Sequence, residues 1–298
     1  MHLTIDRRTL HAGLQSVGRA ISGKSSLPVL SNALLETNGD SHLLLRATDL
    51  ELSIEREVGA SVRVPGAISL PAKILQEIVA ALPEGQVSIE VDDQSAGTIA
   101  CGKSKTRIHG LTAEEFPSVV SIGEGPSFQI EEGRLRALIQ CVIGSVAKDD
   151  VRPVMNGALF HVEGSVLRLV STDTYRLCVA SSALAEPTDT GQWIIPGRAL
   201  RELLNLMEEH SPEAVACQFG QNEARFAVSG TSLTTRLIEG KFPNYEKLIP
   251  KTHTFRLTLD ALLLRQAVRR AAIVAREDVS KIDLDADGES LRISASSG

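Results

Sequence analysis

The sequence predicts an α+β protein built from copies of one unit, two helices packed on one face of an antiparallel sheet. Three observations predict it. First, LPVLSNALLETNGDSHLLLRATDLEL (27–52) recurs as RPVMNGALFHVEGSVLRLVSTDTYRL (152–177), and LPAKILQEIVAALPE (70–84) recurs as IPGRALRELLNLMEE (195–209). The matched pairs Pro28/Pro153, Ala33/Ala158, Asp49/Asp173 and Phe116/Phe242 all lie 124 to 126 residues apart, so a shared register explains them better than chance. Second, runs such as LRLVSTD and ARFAVSG alternate with the period of half-buried strands. Third, longer windows hold the period of amphipathic helices.

Each unit opens with a short strand, an acidic position suited to an N-cap (Asp6, Glu131-Glu132, Asp260) and an amphipathic helix. Leu10, Leu14, Val17 and Ile21 form the stripe of the first copy. Leu135, Leu138, Ile139, Val142, Ile143 and Val146 form that of the second. Strands follow, then a second helix behind Pro71 or Pro196, where the missing N–H of proline costs nothing. In the first copy Ile74, Leu75, Ile78, Val79 and Leu82 are expected on its buried face. A third copy begins at LTLDALLLRQAVRRAAIVAR (257–276), and Ser296-Ser297 stand where the others have Thr-Asp. It reaches about two-fifths of a repeat before Gly298. With linkers at 121–127 and 249–254, the expected domains are 1–122, 123–251 and a partial third at 252–298.

Composition narrows the function. A chain of 298 residues, 43% hydrophobic and 23% charged, can bury large cores. It has no 18-residue apolar span, and MHLTIDRRTL lacks the apolar stretch of a signal peptide. Cys101, Cys141, Cys178 and Cys217 are widely spaced, and the seven histidines include no i, i+4 pair. No metal or other cofactor is expected, and reduced cysteines in a cytoplasmic protein are the default. One tryptophan and two tyrosines argue against base stacking as the means of binding single strands.

GRAISGKSS (18–26) matches the P-loop pattern at Gly18, Gly23, Lys24 and Ser25. A nucleotide-binding protein is the alternative that this motif raises. A P-loop needs phosphates on free N–H groups at a helix N-terminus. Here a helix stripe precedes the motif and Pro28 follows it, so the dipole has the wrong sense.

Positive charge is segregated within a net charge of −6. Residues 7–20, 133–148 and 261–276 contain no Asp or Glu. They hold ten of the 31 basic residues (Arg7, Arg8, Arg19, Arg134, Arg136, Lys148, Arg265, Arg269, Arg270, Arg276), leaving 21 against 37 acids elsewhere. One such helix reads as a solvated face. Three of them can line a surface for duplex backbone, whose recognition is salt-sensitive and sequence-independent. A repeat-built scaffold without DNA function is the other alternative.

With LPVLSNALLE, ATDLEL, LPAKILQEI, VRPVMNGALF, STDTYRL, FPNYEKLIP and the repeat spacing together, the whole chain resembles the bacterial sliding clamp family, the beta subunits of DNA polymerase III. The resemblance implies a DNA clamp fold of three similar domains and a head-to-tail homodimer ring. Helices would line its central hole around duplex DNA. It further implies a processivity factor with no catalytic residues, which tethers polymerase III and other clamp-binding proteins and is opened by an ATP-driven clamp loader, in the cytoplasm at the nucleoid with no membrane partner. Carried over by position, Lys24, Lys73, Lys148 and Arg198 are DNA-binding candidates. Arg152, Met155, Thr172, Tyr175, Arg176, Leu177, Pro243, Lys247 and Leu248 would form the partner-peptide pocket. Thr106 and Ile108 would meet Ile273 and Val274 of a second subunit. KDDVRPV departs from the pattern, since some members carry Gln and Tyr where this chain has Asp149, Pro153 and Val154. The family completes its third domain with further strands, a second helix and a tail that walls the pocket, and the chain is expected to lack them.

Overall fold

The computed structural model describes residues 1–21, 27–118, 122–148, 152–208, 211–275 and 281–295. It divides into two compact units, Met1–Tyr245 and Glu246–Gly298. The first unit holds two copies of the repeat. One runs β1 (His2–Asp6), α1 (Arg7–Gly18), β2 (Asn32–Asn38), β3 (His42–Thr48), β4 (Leu52–Gly59), β5 (Ser61–Val64), β6 (Ala67–Pro71), α2 (Ala72–Ala81), β7 (Gln86–Val91), β8 (Ala96–Cys101) and β9 (Ser104–His109). The other runs β10 (Ser127–Glu131), α3 (Glu132–Val142), β11 (Gly157–Glu163), β12 (Val166–Thr172), β13 (Leu177–Ala183), β14 (Gly191–Pro196), α4 (Gly197–Leu206), β15 (Ala214–Phe219), β16 (Glu223–Val228) and β17 (Thr231–Arg236). The order matches throughout, except that the second copy has no strand in the place of β5.

The helices form where the apolar stripe and the caps agree. Asp6 accepts from the Arg8 and Thr9 amides at 2.9 and 3.0 Å and starts α1. Leu10, Leu14 and Val17 are buried, each contributing about 1.5–3 kcal/mol. A side chain at Gly13 would put its Cβ 2.5 Å from Leu45 of β3, so glycine sets how closely α1 sits on the sheet. The acidic pair before α3 behaves differently. Glu131 makes no cap and pairs with Arg134 at 3.0 Å. Glu132 is fully buried, and its carboxylate accepts from the Glu208 amide just beyond α4. On α2 the buried seam is Ala72, Leu75 and Val79, while Ile74 is 51% exposed, contrary to the expected stripe. It lies one residue, roughly 100°, round the helix from Leu75.

Helix ends are closed by side chains from elsewhere in the fold. The last carbonyls of α3 accept from the Ser171 hydroxyl (to Val142, 2.6 Å) and the Cys178 thiol (to Cys141, 3.1 Å). The apolar pattern continues to Val146, but beyond Val142 it passes through a 3-10 turn, so Lys148 lies outside the helix. Arg136 donates to Leu204 and Met207 carbonyl oxygens at 2.7 and 3.0 Å and so closes α4.

Neighbouring strands pair antiparallel. The first unit contains sheets β5-β1-β7-β8-β9, β13-β12-β11-β14 and an eight-stranded sheet β10-β15-β16-β17-β4-β3-β2-β6. The last crosses from one copy to the other, where β17 pairs with β4 through Leu233↔Ile54 and Thr235↔Leu52. One contiguous apolar core runs under both copies. In its second-copy part Phe219 stacks on Trp193 at 4.2 Å and contacts Phe128, Phe160 and Phe226. The second unit contains α5 (Ala261–Ala275), with the Leu263 amide on Asp260 at 2.8 Å, and the hairpin β18 (Asp283–Asp287) and β19 (Ser290–Ser294). No described helix is long and apolar enough to cross a membrane.

Phe219→Ala should destabilise the protein by about 3–5 kcal/mol in urea titration. Because Trp193 is the only tryptophan, its fluorescence should report the loss directly, and an unchanged midpoint would contradict this packing.

Candidate functional site

The Thr-Asp pairs that mark the repeat build the same turn in both copies. In the first, the Thr48 hydroxyl accepts from the Leu50 amide (3.0 Å) and donates to the Leu52 carbonyl (3.1 Å), while Asp49 accepts from the Glu51 and Leu52 amides (3.1 and 2.9 Å). In the second, Thr172 serves Thr174 and Arg176 (3.2 and 2.8 Å), and Asp173 serves Tyr175 and Arg176 (3.1 and 3.0 Å). These bonds hold a non-glycine residue at positive φ, 78° at Leu50 and 77° at Thr174, a conformation that costs about 1–3 kcal/mol unless its surroundings enforce it. The turn pushes Tyr175 out to 97% exposure. It also aims Arg176, whose Nε donates to Asp173 at 2.8 Å.

Beside this turn lies a second, smaller apolar cluster, separate from the main core: Leu159, Val170, Ile194, Phe242 and Tyr245, with Val154, Leu177 and Ile238 on its rim. Val170, Leu159 and Ile194 are adjacent across β12, β11 and β14. Their neighbours in sequence face the main core, so the sheet is apolar on both faces here. Phe242 and Tyr245 close over it, and the Tyr245 hydroxyl meets His161 Nδ1 at 3.0 Å. Of the predicted pocket residues, Leu177 is part of this cluster. Met155 and Thr172 are buried, Pro243 is half-buried, and Arg152, Tyr175 and Arg176 are exposed. Lys247 and Leu248 belong to the second unit, with Leu248 60% exposed. The sequence patterns did not single out Val154, Ile238, Phe242 or Tyr245 for the pocket. The sheet residues beneath them, Leu159 and Ile194, are signalled by the unbroken apolar runs in GALF and WII, whereas LRLVSTD, expected to be half-buried, is buried on both faces from Leu169 to Thr172.

The candidate DNA-binding cations have distinct settings. Lys24 lies outside the described residues, as do Gly23, Ser25, Asp149, Arg276, Ser296 and Ser297. Gly18 closes α1, so a helix precedes the P-loop pattern. Lys73 is exposed in the first turn of α2. Lys148 and Arg198 share a cleft of about 460 Å³ with Arg201, a cation that its i, i+3 spacing from Arg198 could have revealed. Arg198 also pairs with Asp49 and donates to the Ala20 carbonyl at 3.4 Å, joining the copies. Among the basic-helix residues, Arg8 pairs with Glu84, Arg19 with Glu202 at 3.5 Å and Arg134 with Glu131, while Arg136 closes α4. Segments 7–20 and 133–148 are free of acids, but acids outside them reach their cations. Thr106 and Ile108 lie on β9, half-buried and buried; Ile273 and Val274 are exposed on α5.

Burial opposes ionisation of Asp173, but the Arg176 guanidinium and the Arg176 and Tyr175 amides outweigh it and hold its carboxyl below the ordinary 3.8. A lowered carboxyl stabilises the fold above its unfolded value and loses that contribution as pH falls through the folded one. The turn should therefore persist from pH 8 to about 4 and fail only in stronger acid. Asp173→Ala should cost about 1–2 kcal/mol at neutral pH in urea titration and flatten the acid limb of stability. An acid limb unchanged by the substitution would contradict the assignment.

The family model for the DNA polymerase III beta subunit N-terminal domain matches residues 1–120, and that for its central domain matches residues 129–244. The beta sliding clamp of Pseudomonas putida is 36% identical over 302 residues, covering 99% of this chain and 80% of the relative. That of Escherichia coli K12 is 31% identical over 297 residues, with the same coverages. Among solved structures, the DNA polymerase sliding clamp of Bacillus subtilis superposes with a TM-score of 0.94 at 29% identity, covering 98% of this chain and 80% of that one. The Pseudomonas aeruginosa clamp bound to griselimycin gives 0.93 at 34% identity, covering 99% and 80%. A fold and two successive domain matches that agree over nearly the whole chain leave one assignment: the protein belongs to the DNA polymerase III beta subunit family, the bacterial beta sliding clamps.

Proposed function

We propose that this protein works as a DNA sliding clamp, a non-enzymatic processivity factor that encircles duplex DNA as a ring and tethers the replicative polymerase and other replication and repair proteins. The observation that carries the ring is the pairing of β17 with β4. It joins the last strand of one copy to the fourth strand of another, a head-to-tail contact that generates a closed ring when repeated through a suitable rotation. The strands in the equivalent places, β9 and β13, are both sheet edges among the described residues. On this reading β9, with Thr106 and Ile108, receives the third domain of a second subunit near its Ile273 and Val274. The domains divide at 1–122, 123–251 and 252–298. A clamp loader opens the ring, and the protein acts in the cytoplasm.

Lys24, Lys73, Lys148 and Arg198, with Arg201, guide the phosphate backbone as point charges. The rim at Leu177, Met155 and Pro243 takes the apolar side chains of an extended partner peptide. Arg152 and Arg176 orient that peptide. Buried apolar anchors of this kind dominate short-peptide affinity.

The protein, loaded by its loader onto nicked circular DNA, should be retained at moderate salt and lost once the circle is cut. Equal retention on both forms, followed by gel filtration, would refute encirclement. Lys148→Glu with Arg201→Glu should weaken duplex binding and lower the log–log salt slope by about 0.9 for each phosphate left unneutralised. In a separate anisotropy titration, Leu177→Ala and Pro243→Ala should each weaken a fluorescent polymerase-derived clamp-binding peptide by about tenfold. Unchanged affinity in both variants would remove the pocket assignment and leave the ring intact.

A further inference from the structure

The two copies differ at one place in their strand order, and the difference opens a backbone edge. In the first copy β5 pairs with β1, His2↔Val64 and Thr4↔Ser61. The segment is anchored by two amides two residues apart, Ala60 to the Ser41 carbonyl and Val62 to that of Asp40 (2.9 and 3.0 Å). In the second copy the matching anchors are Leu184 to Ser165 and Thr188 to Gly164 (2.8 and 3.1 Å), four residues apart. The chain therefore bulges at Ala185–Pro187, Pro187 has no amide proton to give, and no strand forms.

The edge left behind is the outer side of β10, the terminal strand of the eight-stranded sheet. The Phe219 amide bonds to the Pro126 carbonyl and the Glu132 amide to that of Glu213 (3.0 and 2.9 Å), so the even-numbered residues of β10 turn their backbone groups toward β15. Ser127, Gln129 and Glu131 turn theirs away from it, as His2 and Thr4 do toward β5. Among the described residues, only the first is served from the bulge: the Ser127 carbonyl accepts from the Thr188 hydroxyl at 3.1 Å. Between edge and bulge lies a cleft of about 740 Å³, lined by Ser127, Gln129, Glu186, Thr188 and Gln218 among others. Glu186 is exposed, and no lining residue is cationic.

We propose that this cleft is a second peptide-docking site, in which a partner's extended, basic segment adds antiparallel to β10 and bonds to the backbone of Gln129. The first copy supplies the template for the occupant: its own strand on the equivalent edge, SVRV, is extended and carries Arg63. Main-chain bonds give such additions their affinity, and flanking side chains give selectivity, here Glu186 for a cation. The site is separate from the Leu177 rim and does not depend on it.

The probe is the capped peptide GASVRVPG, residues 59–66 of this chain, labelled with fluorescein and titrated against the whole protein by anisotropy, with hydrogen exchange at the Gln129 amide. Saturable binding is expected, with slowed exchange at Gln129. Gln129→Pro, tolerated on an exposed edge, should weaken binding by about tenfold, and Glu186→Lys on the exposed bulge should weaken it without any risk to folding. Absence of saturable binding, or equal binding to both variants, would overturn the proposal. So would a Gln129 amide already protected in the free protein, which would assign the edge to the chain's own bulge. Protection that grows with protein concentration alone would assign it to a second copy and equally overturn it.

Discussion

Pairing of β17 with β4 is the constraint on which the first unit depends. It joins four strands from each repeat into one eight-stranded sheet and lets their cores merge into a single apolar cluster. Arg198 on Asp49 and Arg19 on Glu202 cross the same boundary, but ion pairs whose cations are this exposed add little by themselves. What they add is register: each ties a helix end of one copy to a fixed acid of the other. Backbone pairing supplies the connection, and charges keep it in place.

The Thr-Asp turn shows how one local device serves two ends. In the first copy it stands beside the joint, and its Asp49 is the acid that Arg198 grips. In the second copy Asp173 holds Arg176 of its own turn instead, and Tyr175 projects into solvent. Matching hydrogen bonds thus support a joint between copies in one place and an exposed turn in the other. The left-handed backbone at Leu50 and Thr174 is maintained by those bonds, since neither residue favours it.

Charge on the helices has a similar double use. Arg136 is spent on the carbonyls of α4, and Glu132 on an amide at the same exit. The cations that share an open cleft are Lys148, Arg198 and Arg201, drawn from the end of one helix region and the start of another. Of these three only Lys148 comes from the acid-free basic segments, and helix composition did not separate cations that close helix ends from cations that face outward.

The sequence by itself determined the repeat, its α+β character, the strand and helix order, the buried stripes of α1 and α3 and the matched Thr-Asp pairs. All of these follow from local period, capping chemistry and register, which a single chain displays in its own order. Only the tertiary structure decided that β17 pairs with β4, that a separate apolar cluster forms around Phe242 and Tyr245, that Ile74 faces outward, and that the β5 position is empty in the second copy. Those outcomes depend on which residues far apart in sequence come to share a boundary. Pro187 shows the division well: it is visible in the sequence, yet the absence of an amide proton mattered only because that position faces the open edge of β10.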